Sequence, residues 1–162
     1  MGLDMYLEGR KYVTRNDYDN WDKNYDTPIP PNPMFANVLE AAGVAGMDRD
    51  GQTGLEVRFP VGYWRKANAI HGWFVRELAN GVDECQPIWV SRESLAELKD
   101  LCEQVLADNS LASDLLPPSQ GFFFGSYEID DWYLSDLKDT IDIIDHALSL
   151  PDDIDFIYQA SW

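Results

Sequence analysis

The side chains best suited to chemistry lie in one stretch, Tyr63–Val75, with the sequence YWRKANAIHGWFV. Placed on a helix, Arg65, Asn68 and His71 line one shoulder of it. An Arg guanidinium binds a phosphate or carboxylate through parallel hydrogen bonds, and an amide and an imidazole read polar edges. The ring of Trp64 can stack on a planar group. These residue types predict a pocket for a small anionic ligand.

The charge distribution marks the same stretch. Residues 57–76 contain no acidic residue but include Arg58, Arg65, Lys66 and Arg76, and we call this segment the basic island. The chain as a whole has a formal net charge of -17. A positive segment in so acidic a chain favours an anionic ligand, to which Lys66 adds a second cation beside Arg65.

The basic island also carries an apolar stripe. Tyr63, Ala67, Ile70, Phe74 and Leu78 fall on one arc at about 100° per residue, which predicts a helix whose apolar face packs on a core. The amide and the imidazole project from this arc or its edge, and each needs a hydrogen-bond partner if it is buried. Two interpretations follow: the partners are neighbouring protein groups, or they belong to a bound ligand.

Length and composition set the outer limits. A chain of 162 residues with 45% hydrophobic content is long enough for one compact domain. It has no apolar run near the roughly 20 residues of a membrane span and no signal-like start, which predicts a cytoplasmic protein. Cys85 and Cys102 belong to no metal-binding pattern, and no metal or cofactor is expected. The acidity argues against direct binding of nucleic acid.

The remaining pattern predicts an α+β fold in a single domain. Strands are expected near Leu3, Leu55, Ile88, Phe122 and Ile154, and helices start at Tyr63, Arg92 and Asp131, with a short helix from Phe35 to Ala42 closed by Gly43. Pro60 is expected to end the second strand. Residues 15–33 are rich in aromatic, acidic and proline residues and are interpreted as a loop, either a lid or a surface strap.

A second unusual segment is GFFFGS, residues 121–126. Three consecutive aromatic residues between glycines indicate a short strand or a loop whose backbone approaches another group closely. In the ligand interpretation Phe123 stacks on the ligand from the side opposite Trp64. In the alternative interpretation the three rings are part of the core.

The opening MGLDMYL, the central WRKANAIHGWFV, the following GVDEC and the later LLPPSQGFFFGS resemble a family of small proteins from bacteriophages and bacteria. The likeness runs through most of the chain, and the family carries no established catalytic residues. The resemblance implies an accessory protein used during infection, acting in the host cytoplasm by masking a host protein or by sequestering a small molecule such as a defence signal.

Three functions from different classes remain open. The first is a non-enzymatic protein that binds a small anionic, nucleotide-derived ligand through Trp64, Arg65, Lys66, Asn68, His71 and Phe123. The second is an acidic interaction protein or nucleic-acid mimic whose Asp-rich last helix masks a basic host protein. The third is a hydrolase or transferase that acts on a phosphorylated small molecule, with His71 as the base. Self-association is compatible with each.

Overall fold

The computed structural model describes residues 2–47, 51–119, 121 and 124–162. Its four strands form an open antiparallel sheet in the order β2-β1-β4-β3. The strands are β1 (Asp4–Thr14), β2 (Gly54–Arg65), β3 (Ile88–Val90) and β4 (Asp155–Ser161), and the helices are α1 (Pro33–Ala41), α2 (Asn68–Trp73), α3 (Arg92–Ala107), α4 (Ala112–Leu115) and α5 (Asp131–Ser149). The α+β class expected from the sequence is confirmed.

The chain divides into two compact units, one formed by Met1–Arg10 with Phe59–Trp162 and the other by Lys11–Arg58. In the first unit β4 pairs with β1, from Asp4 opposite Ser161 to Arg10 opposite Asp155, and with the short strand β3. Alternate residues of β1 face inward, so that Met5 and Leu7 are fully buried. The expectation of a single domain stays a prediction.

Helices α3 and α5 pack against each other, and their inward faces complete the core of the first unit. Leu98 and Cys102 of α3 and Leu137 and Ile144 of α5 are fully buried. Burial raises the pKa of the Cys102 thiol to about 12, so the group behaves as a small apolar side chain. The helical stripes expected on both elements are therefore the core contacts.

The second unit, Lys11–Arg58, has a smaller core of its own. Val13, Phe35 and Leu39 are buried together, with Leu55 and Val57 packed on them. The Asn32 side chain caps α1 by accepting a hydrogen bond from the Met34 amide. Residues 15–32 form no helix, and their backbone is anchored by bonds such as that from the Asp17 amide to the Pro30 carbonyl, at 2.8 Å.

The start of the central helix was predicted wrongly. Strand β2 continues to Arg65, and α2 begins only at Asn68, so Tyr63 and Trp64 are strand residues. Pro60 does not end the strand. Because β2 is an edge strand, it has one neighbour only, and a residue without a backbone N–H is tolerated on its outer side. Pairing with β1 decided the structure of a segment whose apolar spacing also suited a helix.

The other elements are close to their predicted positions. Helix α3 spans Arg92–Ala107 as expected, and the Ser91 hydroxyl caps it by accepting the Ser94 amide. Gly43 follows α1 with a φ of 71°, the left-handed conformation expected at a helix end. The strand predicted near Phe122 lies outside the described residues.

Candidate functional site

A cavity of about 280 Å³ opens in the first unit beside the junction between β2 and α2. It has three walls: the junction itself, the segment 125–128, and the first two turns of α5 with the residue that precedes them. Its polar and aromatic lining comprises Arg65, Lys66, Asn68, Ser126, Glu128, Asp130, Trp132, Tyr133 and Asp136. The size is close to the lower end of the range for small-molecule sites.

Lys66 connects the strand to the helix in an unusual backbone conformation. Its φ is 62°, in the left-handed region that costs a residue with a Cβ atom about 1–2 kcal/mol. The conformation is held on both sides, because the Lys66 amide donates to the Leu3 carbonyl and the Asn68 amide donates to the Lys66 carbonyl, both at 2.8 Å. The sharp turn places two adjacent cationic side chains at the cavity.

These two cations have little compensation from protein groups. The Arg65 side chain is 65% exposed, and its Nε lies 4.0 Å from the Asp4 carboxylate, at the limit of an ion pair. That carboxylate also accepts a hydrogen bond from the Tyr63 hydroxyl. The Lys66 ammonium makes no hydrogen bond or ion pair with any residue in the described parts of the chain. Both cations are therefore available to an anion.

Asn68 positions one wall of the cavity through hydrogen bonds of its side chain. The Asn68 side-chain amide donates to the carbonyls of Phe124, at 3.1 Å, and Ser126, at 2.7 Å, and its oxygen accepts the Ser119 amide at 3.2 Å. These three bonds use both donors and one acceptor position of a side chain that is 5% exposed. Asn68 therefore ties the segment around Ser126 to α2 and positions one wall, instead of reading a ligand with its amide.

The wall formed by the start of α5 and the residues before it is acidic. Asp130 caps α5, since its carboxylate accepts the Tyr133 amide at 3.0 Å, and Glu128 lies exposed nearby. Asp136 is half-buried, and its carboxylate has no hydrogen-bond or ion-pair partner within the residues that the structure describes. Burial, with the nearby charges of Asp139 and Asp130, raises the pKa of Asp136 to about 6. The cavity thus holds positive and negative groups on different sides.

An aromatic ring stands at the cavity mouth. Trp132, in the first turn of α5, is 80% exposed although it is the largest side-chain type. Tyr133 beside it points inward, and its hydroxyl donates to the Leu116 carbonyl at 2.9 Å. An uncovered indole at the rim of a cavity provides a flat apolar surface on which a planar ligand can stack.

Trp64 lies in the core and not in the cavity. It is 3% exposed, its indole N–H donates to the Thr140 hydroxyl at 2.9 Å, and its ring packs against those of Phe74 and Tyr158. A helix through this segment would place Trp64 at the edge of the apolar arc and Arg65 on the next strip, so that both could reach one ligand. Because the segment is a strand, the two side chains point to opposite faces of the sheet.

His71 is enclosed by its own network. It is 2% exposed; its Nδ1 lies 2.8 Å from the Tyr158 hydroxyl and its Nε2 lies 3.0 Å from an Asp83 carboxylate oxygen. The other oxygen of Asp83 accepts the Trp162 indole N–H at 3.3 Å, and the Phe124 ring packs edge-on against the imidazole. Both ring nitrogens are satisfied by protein groups, and His71 does not line the cavity.

The structure therefore divides the six residues chosen from the sequence. Arg65, Lys66 and Asn68 meet at the cavity, the first two as exposed cations and the third as a positioning residue, whereas Trp64 and His71 are internal. Phe123 lies outside the described residues. Sequence reasoning missed the acidic wall, because it interpreted the aspartates of the last helix as a charged surface. No sequence signal separates Asp136 from the other aspartates of this helix.

In the described part of the chain, no group of three or more His, Cys, Asp or Glu residues is arranged to hold a metal ion. Across the same residues, none of the helices combines the length and the apolar character needed to cross a bilayer.

The fold and the site define an α+β protein with a small amphoteric cavity at a strand-to-helix junction. Comparison of the chain with protein-family models, with curated proteins and with solved structures gave no significant match.

Proposed function

We propose that the protein is a non-enzymatic binder of a small, nucleotide-like ligand that carries an anionic group. The observation that supports this most strongly is the pair of adjacent cations that line the cavity: among the described residues, Arg65 has only the marginal ion pair with Asp4 and Lys66 has no partner. An anion that binds both groups is attracted by two positive charges at once.

The expected strength of the contact between Arg65 and the anionic group follows from the solvent exposure of the Arg65 side chain. Hydrogen bonds to charged groups contribute about 1.5–3 kcal/mol, with exposed groups at the low end. The loss of the Arg65 guanidinium should therefore weaken binding about tenfold or more. A guanidinium also matches the planar fork of a phosphate or carboxylate better than an ammonium does.

In this proposal the planar part of the ligand stacks on the ring of Trp132. Stacking of a base on an aromatic side chain contributes about 1–3 kcal/mol, and the exposed Trp132 ring has no competing cover. A cavity of about 280 Å³ accommodates a mononucleotide more readily than a polymer.

Binding without turnover suits the site better than catalysis. An enzyme of the kind considered above would use His71 as its base, yet the two nitrogens of this imidazole are bonded to Tyr158 and Asp83, away from the cavity. The resemblance to phage and bacterial accessory proteins supplies a setting in which stoichiometric sequestration of a host signal in the cytoplasm is useful.

The test is isothermal titration calorimetry, supported by thermal shift, with mononucleotides, cyclic nucleotides, dinucleotides and ADP-ribose. A ligand present well above its dissociation constant should raise the melting temperature by mass action. Arg65→Ala should weaken binding about tenfold, whereas Arg76→Ala, a matched change in the basic island outside the cavity, should leave it unaltered. Equal effects of the two variants, or no binding by any of these compounds, would refute the proposal.

The acidic interaction protein remains the second candidate, and α5 offers the relevant surface. Asp139 and Asp142 are exposed on this helix, whereas Asp145 is paired with Lys99. Reversal of both exposed charges, Asp139→Lys with Asp142→Lys, separates the two functions. It should abolish capture of a basic host protein if that is the function, and it should leave nucleotide affinity unchanged within about twofold if the cavity is the functional site.

A further inference from the structure

The most unusual polar group of the cavity is the Asp136 carboxylate. Asp130, on the same wall, has a structural role as the cap of α5, but Asp136 binds no group in the described residues although it is half-buried. This carboxylate is partly withdrawn from water, lines the cavity and receives no hydrogen bond from the described protein groups. A ligand that donates hydrogen bonds can therefore bind it.

We infer that the ligand is a guanine nucleotide, whose base presents its two adjacent N–H groups to Asp136 while its phosphate binds Arg65 and Lys66. This inference rests on the proposed function and adds the identity of the base. It assigns the acidic wall to base recognition, the cationic junction to phosphate binding and Trp132 to stacking. The edge of the base, the face of the base and the phosphate thus each have their own group in the cavity.

The chemistry of the base edges selects guanine among the common bases. An ionised carboxylate accepts hydrogen bonds and donates none. The guanine ring N1–H and the exocyclic 2-amino group are two parallel donors at the spacing of the two carboxylate oxygens, which allows a bidentate contact. Adenine places the lone pair of N1 next to its amino group, so a carboxylate opposite that edge meets one donor and one repelling acceptor.

The opposite charges of the two walls fit the same ligand. A phosphate alone, placed at random in the cavity, would meet Glu128, Asp130 and Asp136 as well as the two cations. A nucleotide separates its negative end from its donating end, so it can enter in one orientation only. This complementarity provides specificity in addition to affinity.

Protonation of Asp136 should oppose this recognition. Asp130 and Asp139 raise its pKa, and the other charged groups that line the cavity are Glu128, Arg65 and Lys66. Because guanine donors favour the ionised carboxylate, affinity should be highest above pH 7 and fall as the pH drops below about 6.

The experiment compares GMP, IMP and AMP by calorimetry on the full chain. GMP offers two donors to Asp136, IMP one and AMP a donor beside an acceptor, so affinity should decrease in that order, with GMP at least tenfold tighter than AMP. Asp136→Asn, which keeps the shape and removes the charge, should reduce the preference for GMP to less than about threefold. Asp142→Asn, on the exposed side of the same helix, serves as the control and should keep the preference.

The outcomes separate this inference from the proposed function. Binding of all three nucleotides with equal affinity, weakened by Arg65→Ala but not by Asp136→Asn, would overturn the guanine assignment and leave the nucleotide site standing. Tighter binding of L-arginine than of GMP would show that a guanidinium, and not guanine, meets the carboxylate, and would also overturn it. No binding of any nucleotide would overturn both proposals.

Discussion

The polar groups of the first unit fall into two regions with opposite properties. In the network around His71, both imidazole nitrogens and the two carboxylate oxygens of Asp83 have protein partners. In the cavity at the junction between β2 and α2, the charged groups of Lys66 and Asp136 have no protein partner among the described residues. Folding alone explains the first region, because buried polar groups are normally paired. In the proposed function, another molecule binds the second region.

The largest expected effect is on the first region. His71→Ala should lower the free energy of unfolding by about 3–5 kcal/mol, because it leaves a void in the core and a buried Tyr158 hydroxyl without its partner. For a chain of this size the melting temperature should fall by roughly 10 °C. Urea denaturation followed by tryptophan fluorescence measures the loss.

The same variant tests whether the regions are separate. At a temperature where His71→Ala is fully folded, its nucleotide affinity should stay within about twofold of the wild-type value. If His71→Ala instead kept the stability of the wild type and bound the nucleotide tenfold more weakly, the imidazole would belong to the functional site.

Asn68 should show an intermediate effect, because it lines the cavity while its buried amide is bonded to three backbone groups. Asn68→Ala removes three hydrogen bonds and leaves the carbonyls of Phe124 and Ser126 without their donor. The free energy of unfolding should fall by about 2 kcal/mol. The segment that carries Ser126 should also exchange its amide hydrogens faster, and ligand affinity should fall severalfold.

Hydrogen exchange measured by mass spectrometry on residues 119–130 checks this prediction. Ser110→Ala provides a control, since Ser110 bonds Asp108 locally and lies away from the cavity. Faster exchange throughout the chain, instead of in this segment, would mean that Asn68 supports the fold in general and does not position a wall.

The spacing of apolar residues was sufficient to predict the helices that pack one face on the core. The stripes of α3 and α5, the Ser91 cap and the α+β class follow from local rules, and the structure has them. The basic island did not follow these rules, because its apolar residues suit a helix by spacing while the pairing of β2 with β1 makes Tyr63 and Trp64 part of a strand. That non-local contact cannot be read from a window of the sequence.

The sequence was also insufficient to identify every residue of the candidate site. Arg65 and Lys66 were identified because charge contrast is visible in the sequence. Asp136 was not, since the helix carries several other aspartates and only the packed structure shows which one is half-buried beside a cavity. The left-handed turn at Lys66 had no signal either, because lysine is not a residue that favours it.

Asp136 should behave as a destabilising group in the absence of ligand. Its pKa is about 6 in the folded protein, above the 3.8 of an unperturbed aspartate, so between these values the folded state binds more protons. Stability from this group is therefore present at low pH and is lost as the pH rises through about 6. At pH 7.5, Asp136→Asn should raise the free energy of unfolding by about 1 kcal/mol, which corresponds to 2–4 °C in melting temperature.

The sign of this effect is what distinguishes the two regions. The gain from Asp136→Asn should disappear near pH 4, where the wild-type carboxyl group is protonated, and a melting curve at each pH measures it. In the network around His71, by contrast, Asp83→Asn should destabilise the protein at pH 7.5, because that carboxylate has two donors. A loss of stability in Asp136→Asn at pH 7.5 would show that this carboxylate has a structural partner.

The smallest effect on stability is expected at Lys66. Asn adopts the left-handed conformation more readily than most residues, so Lys66→Asn should change the free energy of unfolding by less than about 0.5 kcal/mol while it removes the ammonium group. Lys66→Val removes the same charge, but a β-branched residue is strained at a φ of 62°, and stability should fall by about 1 kcal/mol. Both variants should bind GMP about tenfold more weakly, as calorimetry can measure. If affinity follows the backbone strain instead, so that only the Val variant binds weakly, the lysine acts through the turn and the anion is held by Arg65 alone.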